Sequence, residues 1–353
     1  MAIYLFVFLL LSIAAIVETL GQRVSAAIIL GVSLFVLLIL TIFREGIGTD
    51  FYNYKKIYEE TTNQQLYSTE WGFIILNYIS MLFGGFRAVL GFCALINIVA
   101  ILFVLSKWRL NLSLGFLTYY SLFFLNHNFN TIRHGLMATL VWVGITLYSN
   151  RKVVKSFLAY FLATSFHQIG IILLPFQFLY KIKIRFFFEI LILIFLYVIG
   201  NLAQNLFGII NLFFSSSRLE YYENDFYAEG VARYKFGLGF LLYLVVYVTF
   251  RLCAKYFENY LTINTLTRFL FLGICVILLF ASVSIFVERI ANVFLMSLIF
   301  IFASISQIKV NLYYKLFFFL VIVGIDFFFL YKVTNIPGID RPYQFLPYNF
   351  KID

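Results

Sequence analysis

No charged residue lies between Arg23 and Arg44. The run in between, Val24 to Phe43, is apolar enough and long enough to cross a bilayer, which takes about 20 residues of helix. Runs of this kind recur to the end of the chain. They place spans at 2–20, 24–43, 88–106, 111–126, 134–149, 152–165, 168–181, 186–208, 236–252, 269–286, 290–307 and 314–331. Backbone groups in hydrocarbon must pair internally, and no alternating barrel pattern is present, so the spans are helices. The expected fold is an all-α, polytopic integral membrane protein of about 11–12 transmembrane helices with an outward-facing polar cavity.

Composition closes off the alternatives. Of 353 residues, 63% are hydrophobic and 12% charged, which is more apolar surface than a water-soluble fold needs. The net charge of +10 sits largely in short gaps between spans, where the positive-inside rule accounts for it. No basic helix interleaved with base-stacking aromatics appears, so no nucleic-acid partner is expected. Cys93, Cys253 and Cys275 lie in or beside spans without a CxxC, which argues against a disulfide framework or a zinc site. The first twenty residues lack a basic n-region and a clear cleavage site, and they read as a retained first span.

The short gaps give an orientation. Lys107 and Arg109, Arg151 to Lys155, Lys181 to Arg185, Arg251 to Arg268, and Lys309 with Lys315 share one side, taken as cytoplasmic. The polar loops then fall outside, at about 44–87, 215–235 and the tail 332–353, and residues 1–353 read as a single polytopic membrane domain. Trp71 to Phe83 is too short for a span and reads as an outer-surface or re-entrant helix. The segment 152–181 begins and ends in basic clusters. It either crosses twice with a polar apex at His167-Gln168, or crosses once as a long tilted span that reverses everything downstream.

The polar groups on the outer face are the candidates for chemistry, because charges at span ends or within spans are costly. Each has a plain structural reading beside the functional one. Arg44 either snorkels to headgroups or binds an anion, with Gly46 and Gly48 letting backbone amides approach a phosphate. Asp50 either caps locally or serves the site. Glu70 either starts a helix, where the dipole favours a carboxylate, or acts on substrate. Asn126 to His134 is the densest polar run between two spans. It is an ordinary turn, or else Arg133, whose charge opposes the dipole of the helix it begins, marks a bound anion. His134 belongs to the same run, and His127 reads as loop. His167 is a hydrogen-bonded buried histidine or a general base. Glu288-Arg289 is a local ion pair or a substrate contact, and Arg341 anchors the tail to lipid phosphates or joins the site.

Taken in order, these motifs resemble the EpsG/Wzy-type family of bacterial polysaccharide (O-antigen) polymerases. The matching pieces are Arg44-x-Gly46-x-Gly48-Thr49-Asp50 with Tyr54 downstream, Glu70-x-Gly72-Phe73, Asn130-x-x-Arg133 and Phe166-His167, followed by Glu288-Arg289 and Pro347-Tyr348. Together they extend from about residue 44 to the C-terminus. Two positions depart from the pattern: His134 stands where the family often has Gln, and Ile169-Gly170 stands where it often has small or hydroxylated residues.

The resemblance implies an enzyme of the bacterial inner (cytoplasmic) membrane with its active face in the periplasm. It would join oligosaccharide repeat units carried on undecaprenyl pyrophosphate, for O-antigen, capsule or exopolysaccharide. Such a transfer expels a pyrophosphate, which fixed cations stabilise, and arginine suits phosphate oxygens. Arg44, Arg133, Arg289 and Arg341 are therefore assigned to substrate binding, together with Gly48, His134 and Glu288. Asp50, Glu70 and His167 are assigned to orienting or deprotonating the acceptor hydroxyl. No Asp-x-Asp metal signature is evident, so a metal-independent transfer without cofactor is expected. A chain-length regulator is the expected protein partner, beside membrane lipid. The competing readings are a lipid-linked oligosaccharide flippase, for which no internal repeat symmetry is found, and an O-antigen ligase-like transferase.

Overall fold

A computed structural model describes residues 1–63, 69–181, 184–213, 237–280, 287–336 and 343–351, with the backbone alone at 179–181, 201–213 and 288. The chain is helical along nearly all of these residues, and no strand occurs among them; the one isolated bridge pairs Arg44 with Phe350. The helices are α1 Ala2–Thr19, α2 Arg23–Ile42, α3 Phe51–Thr62, α4 Trp71–Met81 and α5 Phe86–Lys107. Next come α6 Leu112–Tyr119, which continues through π-helical turns Tyr120–Phe124 and Asn126–Asn130, then α7 Ile132–Ser149, α8 Val153–Phe166 and α9 Ile169–Leu173. A 3₁₀ segment, Leu174–Lys181, leads to α10 Phe186–Phe213, α11 Leu238–Cys253 and α12 Tyr260–Phe280. The π turn Val287–Ala291, α13 Asn292–Leu295, α14 Ser297–Ala303 and α15 Leu312–Thr334 complete the order.

Among the described residues, helix of α, 3₁₀ or π type lies over most of each of the twelve stretches expected to span. Among the described residues, seven helices are long and apolar enough to cross a membrane: Ala2–Thr19, Arg23–Ile42, Phe86–Lys107, Leu238–Tyr256, Tyr260–Phe280, Arg289–Gln307 and Leu312–Thr334. The protein is an all-α, multi-pass membrane protein.

Two compact units partition the chain: residues Met1–Gln177 with Phe302–Asp353, and Phe178–Ile301. In the second unit a buried polar cluster ties α10 to α11 and α12. Glu189 accepts from Arg251 at 2.8 Å and from the Tyr247 hydroxyl at 2.7 Å, while Arg251 also donates to Asn264. In the first unit the polar stretch 44–70, expected from sequence to be a loop, contains helix α3. Phe51, Tyr54, Ile57 and Thr61 recur along one side of it and are all buried. That face joins an apolar cluster with Phe73 and Leu76 of α4, Val89 and Cys93 of α5, and Ile132 and Leu136 of α7. The cluster fixes four helix segments beside the polar residues considered next.

Helix ends are closed by backbone geometry. Gly21, Arg109 and Arg151 all adopt positive φ just past α1, α5 and α7. In each case the next amide returns to a carbonyl five residues back, as Gln22 does to Val17, Leu110 to Leu105 and Lys152 to Leu147. The two arginines accept left-handed backbone and set a cation at the negative end of a helix dipole.

Candidate functional site

Arg44 follows the last turn of α2 and is 2% exposed. Burial lowers its pKa to about 10. Its guanidinium donates to three backbone carbonyls: Ile47 in a short contact, Phe129 at 3.1 Å and Asn128 at 3.2 Å. The rings of Phe51 and Phe129 flank it, 5.1 and 4.8 Å from Cζ. Carbonyl oxygens and ring faces thus replace the lost hydration. Arg44 is the clasp that holds the loop 45–50 against the π turn 126–130.

The same loop is gripped from two other directions. Thr49 N–H donates to Asn130 Oδ1 at 2.9 Å, and Asn130 Nδ2 donates to Gln344 Oε1 at 3.0 Å. Gly48 N–H donates to the Gln344 carbonyl at 3.1 Å. The tail 343–351 is held by aromatics: Tyr4 donates to the Phe345 carbonyl at 2.9 Å, Tyr348 donates to Leu40 at 2.5 Å, and Phe345 packs edge-on to Phe129. Behind the turn, Asn128 is locked by Asn97, and Asn97 by Thr139.

Arg133 lies in the first turn of α7, as expected, and meets Glu70, 63 residues earlier. The two form a close ion pair, and Arg133 also donates to Thr69 Oγ1 at 2.6 Å. Its side chain is 26% exposed and that of Glu70 15%. Glu70 is also the residue before α4, so it starts a helix and holds the cation at once. Tyr54, on the buried face of α3, is close enough to Arg133 for the two to interact electrostatically. Burial pushes the Tyr54 phenol up to about 12, with Arg133 opposing the shift and Asp50 adding to it. Asp50 is half-buried and stands at the head of α3, four residues before Tyr54.

The chain has three histidines, and the fold sets them in a row. The His127 and His134 rings are 6.0 Å apart, and those of His134 and His167 5.9 Å, each pair edge to face. His167 sits where α8 breaks, in extended backbone, and its Nδ1 accepts from Ile169 N–H at 3.3 Å. Gly72 brings α4 to this break, since a Cβ there would lie 2.3 Å from Ser165 Oγ.

Of the residues singled out in the sequence, Arg44, Gly48, Asp50, Glu70, Arg133, His134 and His167 therefore belong to one unit. Direct contacts or neighbouring turns link them. Arg289 is half-buried in the π turn of the second unit, with Glu288 beside it known by backbone only. Arg341 lies outside the described residues. Sequence alone marks neither Gln344 nor Asn97 and Thr139, the residues that lock Asn128 of the polar run, and there His127 reads as plain loop and Tyr54 only as part of a motif. The three asparagines of the polar run, Asn126, Asn128 and Asn130, are the one available signal. Among the described residues no three His, Cys, Asp or Glu side chains gather as metal ligands do.

The model of the EpsG family matches residues 27–350. No curated protein and no solved structure matches the chain. The match covers nearly the whole chain and every motif just placed, and so the protein belongs to the EpsG family, with a polysaccharide-polymerase type of role in broad terms.

Proposed function

We propose that this protein joins oligosaccharide repeat units borne on undecaprenyl pyrophosphate, by glycosyl transfer at the periplasmic face of the bacterial inner membrane. The observation that carries the reading is Arg133: a partly exposed guanidinium held by Glu70 and Thr69 at the head of a helix. It stands beside the histidine row, and Tyr54 is one turn along α3 from Asp50. A cation fixed in this way stabilises charge that develops on a leaving pyrophosphate and needs no reorganisation to do so.

The side chains take different roles. Glu70 is committed to Arg133 and orients it. His167 accepts a backbone N–H at Nδ1, so in the neutral ring the proton is on Nε2, which donates to substrate. Asp50, half-buried at the head of α3, is the carboxylate assigned to take the acceptor hydroxyl's proton. As that proton leaves, the acceptor oxygen bonds to the anomeric carbon, the bond from that carbon to the pyrophosphate oxygen breaks, and the pyrophosphate departs with the electron pair. Arg44 has its Nη donors on backbone carbonyls, and it acts by positioning the Gly48–Asp50 loop rather than by touching phosphate. The substrate roles of Glu288, Arg289 and Arg341 rest on the family resemblance. A chain-length regulator remains the partner proposed.

Deleting the gene and typing the surface glycan tests the reading. Single repeat units on the surface, without long chains, are expected. No glycan outside would indicate a flippase, and polymer retained on the lipid carrier would indicate a ligase.

A further inference from the structure

Helices α2 and α5 flank an open groove of about 460 Å³ near the site. Its walls are apolar, with Leu38 and Ile42 on one side and Leu95 on the other, and the exposed Phe83 lines it beside Arg87. Gly91 gives the groove its depth, because a Cβ there would already press on Ile42 at 3.1 Å. Both walls are membrane-crossing helices, so an apolar chain can enter from the bilayer. The lining has one charged group, Arg87, in the first turn of α5. Its guanidinium stands 5.4 Å over the Phe43 ring.

The charged end of the groove neighbours the site through chain adjacency and ring contacts. Phe43 adjoins Arg44, and Phe86, next to Arg87, packs on Phe51 at 5.5 Å. Phe51 in turn flanks the Arg44 guanidinium and adjoins Asp50. An apolar groove with a single cation at the end nearer Arg44 and Phe51 complements a long hydrocarbon chain with an anionic head. We propose that this groove seats the head-proximal isoprenoid chain of the polyprenyl pyrophosphate carrier, with Arg87 at the level of its phosphates. The assignment rests on the functional reading above and adds to it the place where the lipid lies.

Photocrosslinking tests it. The purified full chain in lipid nanodiscs is illuminated with undecaprenyl pyrophosphate carrying a diazirine in its head-proximal isoprene units, and labelled peptides are mapped by mass spectrometry. Labelling of α2 and α5 is expected, reduced by excess unlabelled undecaprenyl pyrophosphate but not by excess phosphatidylglycerol. Leu95→Trp, at a lipid-facing position, and Arg87→Ala should each lower that labelling about tenfold, the loss of roughly 1.4 kcal/mol. Competable labelling confined to other helices would overturn the groove and leave the functional reading standing. Equal competition by phosphatidylglycerol would also overturn it, as a site for ordinary phospholipid. No competable labelling anywhere would overturn both. Labelling unchanged in both variants, each folded as judged by its melting, would overturn the groove alone.

Discussion

A Cβ placed on Gly48 would stand 2.2 Å from the Phe129 carbonyl oxygen and 2.6 Å from Asn130 Oδ1. Gly48 also has φ +90°, a conformation that side chains disfavour. The glycine therefore serves close approach: it lets the Arg44–Asp50 loop lie directly on the turn that precedes Arg133. Two motifs far apart in sequence become one surface through that contact.

Gly48→Ala is expected to cost about 2–4 kcal/mol, combining overpacking with left-handed strain. Gly21 has φ +89° and nothing within 4 Å of where a Cβ would stand, so Gly21→Ala should cost only about 1–2 kcal/mol. Thermal unfolding of the two variants in detergent, followed by tryptophan fluorescence, compares strain alone with strain plus collision.

Arg44→Lys should fail to substitute for arginine. A lysine keeps the charge but has no planar fork to reach the carbonyls of Ile47, Asn128 and Phe129 together. Stability should fall by about 2–3 kcal/mol, and polymer synthesis should fall with it. A lysine variant with ordinary melting and reduced polymer would instead place Arg44 against the substrate.

Tyr54 sets a pH dependence. Its pKa rises from 10.0 to about 12 on folding, chiefly through burial. Below pH 10 the phenol is neutral in both states and contributes no slope. Between pH 10 and 12 the unfolded chain loses the proton first, so stability falls, by about 2–3 kcal/mol in all. Unfolding measured across pH 9–12 should show this loss, and Tyr54→Phe should remove that part of the slope. The same variant should reduce polymer synthesis about tenfold at neutral pH, because it removes a polar neighbour of Arg133.

The spans are legible in the sequence because uninterrupted apolar runs of bilayer length leave the backbone no other solution. The flanks of α3 hide it. Lys55, Lys56, Glu59 and Glu60 make residues 51–62 look like loop, while the buried face is carried by Phe51, Tyr54, Ile57 and Thr61. The polar residues are legible as a set, since a lone charge beside a span is conspicuous. Their partners are not. Glu70 and Arg133 are 63 residues apart, and Arg44 reaches a carbonyl 84 residues away, so no local pattern encodes either contact. Arg44 shows the limit most clearly, because sequence marks a cation beside glycines but not the carbonyls that occupy it. His127 looks like loop for the same reason: its neighbours in the row come from α7 and from the α8 break.

The most direct test is polymerisation by purified protein in proteoliposomes, using lipid-linked repeat units extracted from a strain that lacks this gene. Arg133→Ala should lower chain extension at least about a hundredfold, the usual consequence of removing one preorganised electrostatic donor, while melting close to wild type. Glu70→Gln, which leaves Arg133 in place but less firmly oriented, should fall between the two. Long polymer made by Arg133→Ala at the wild-type rate would contradict the account.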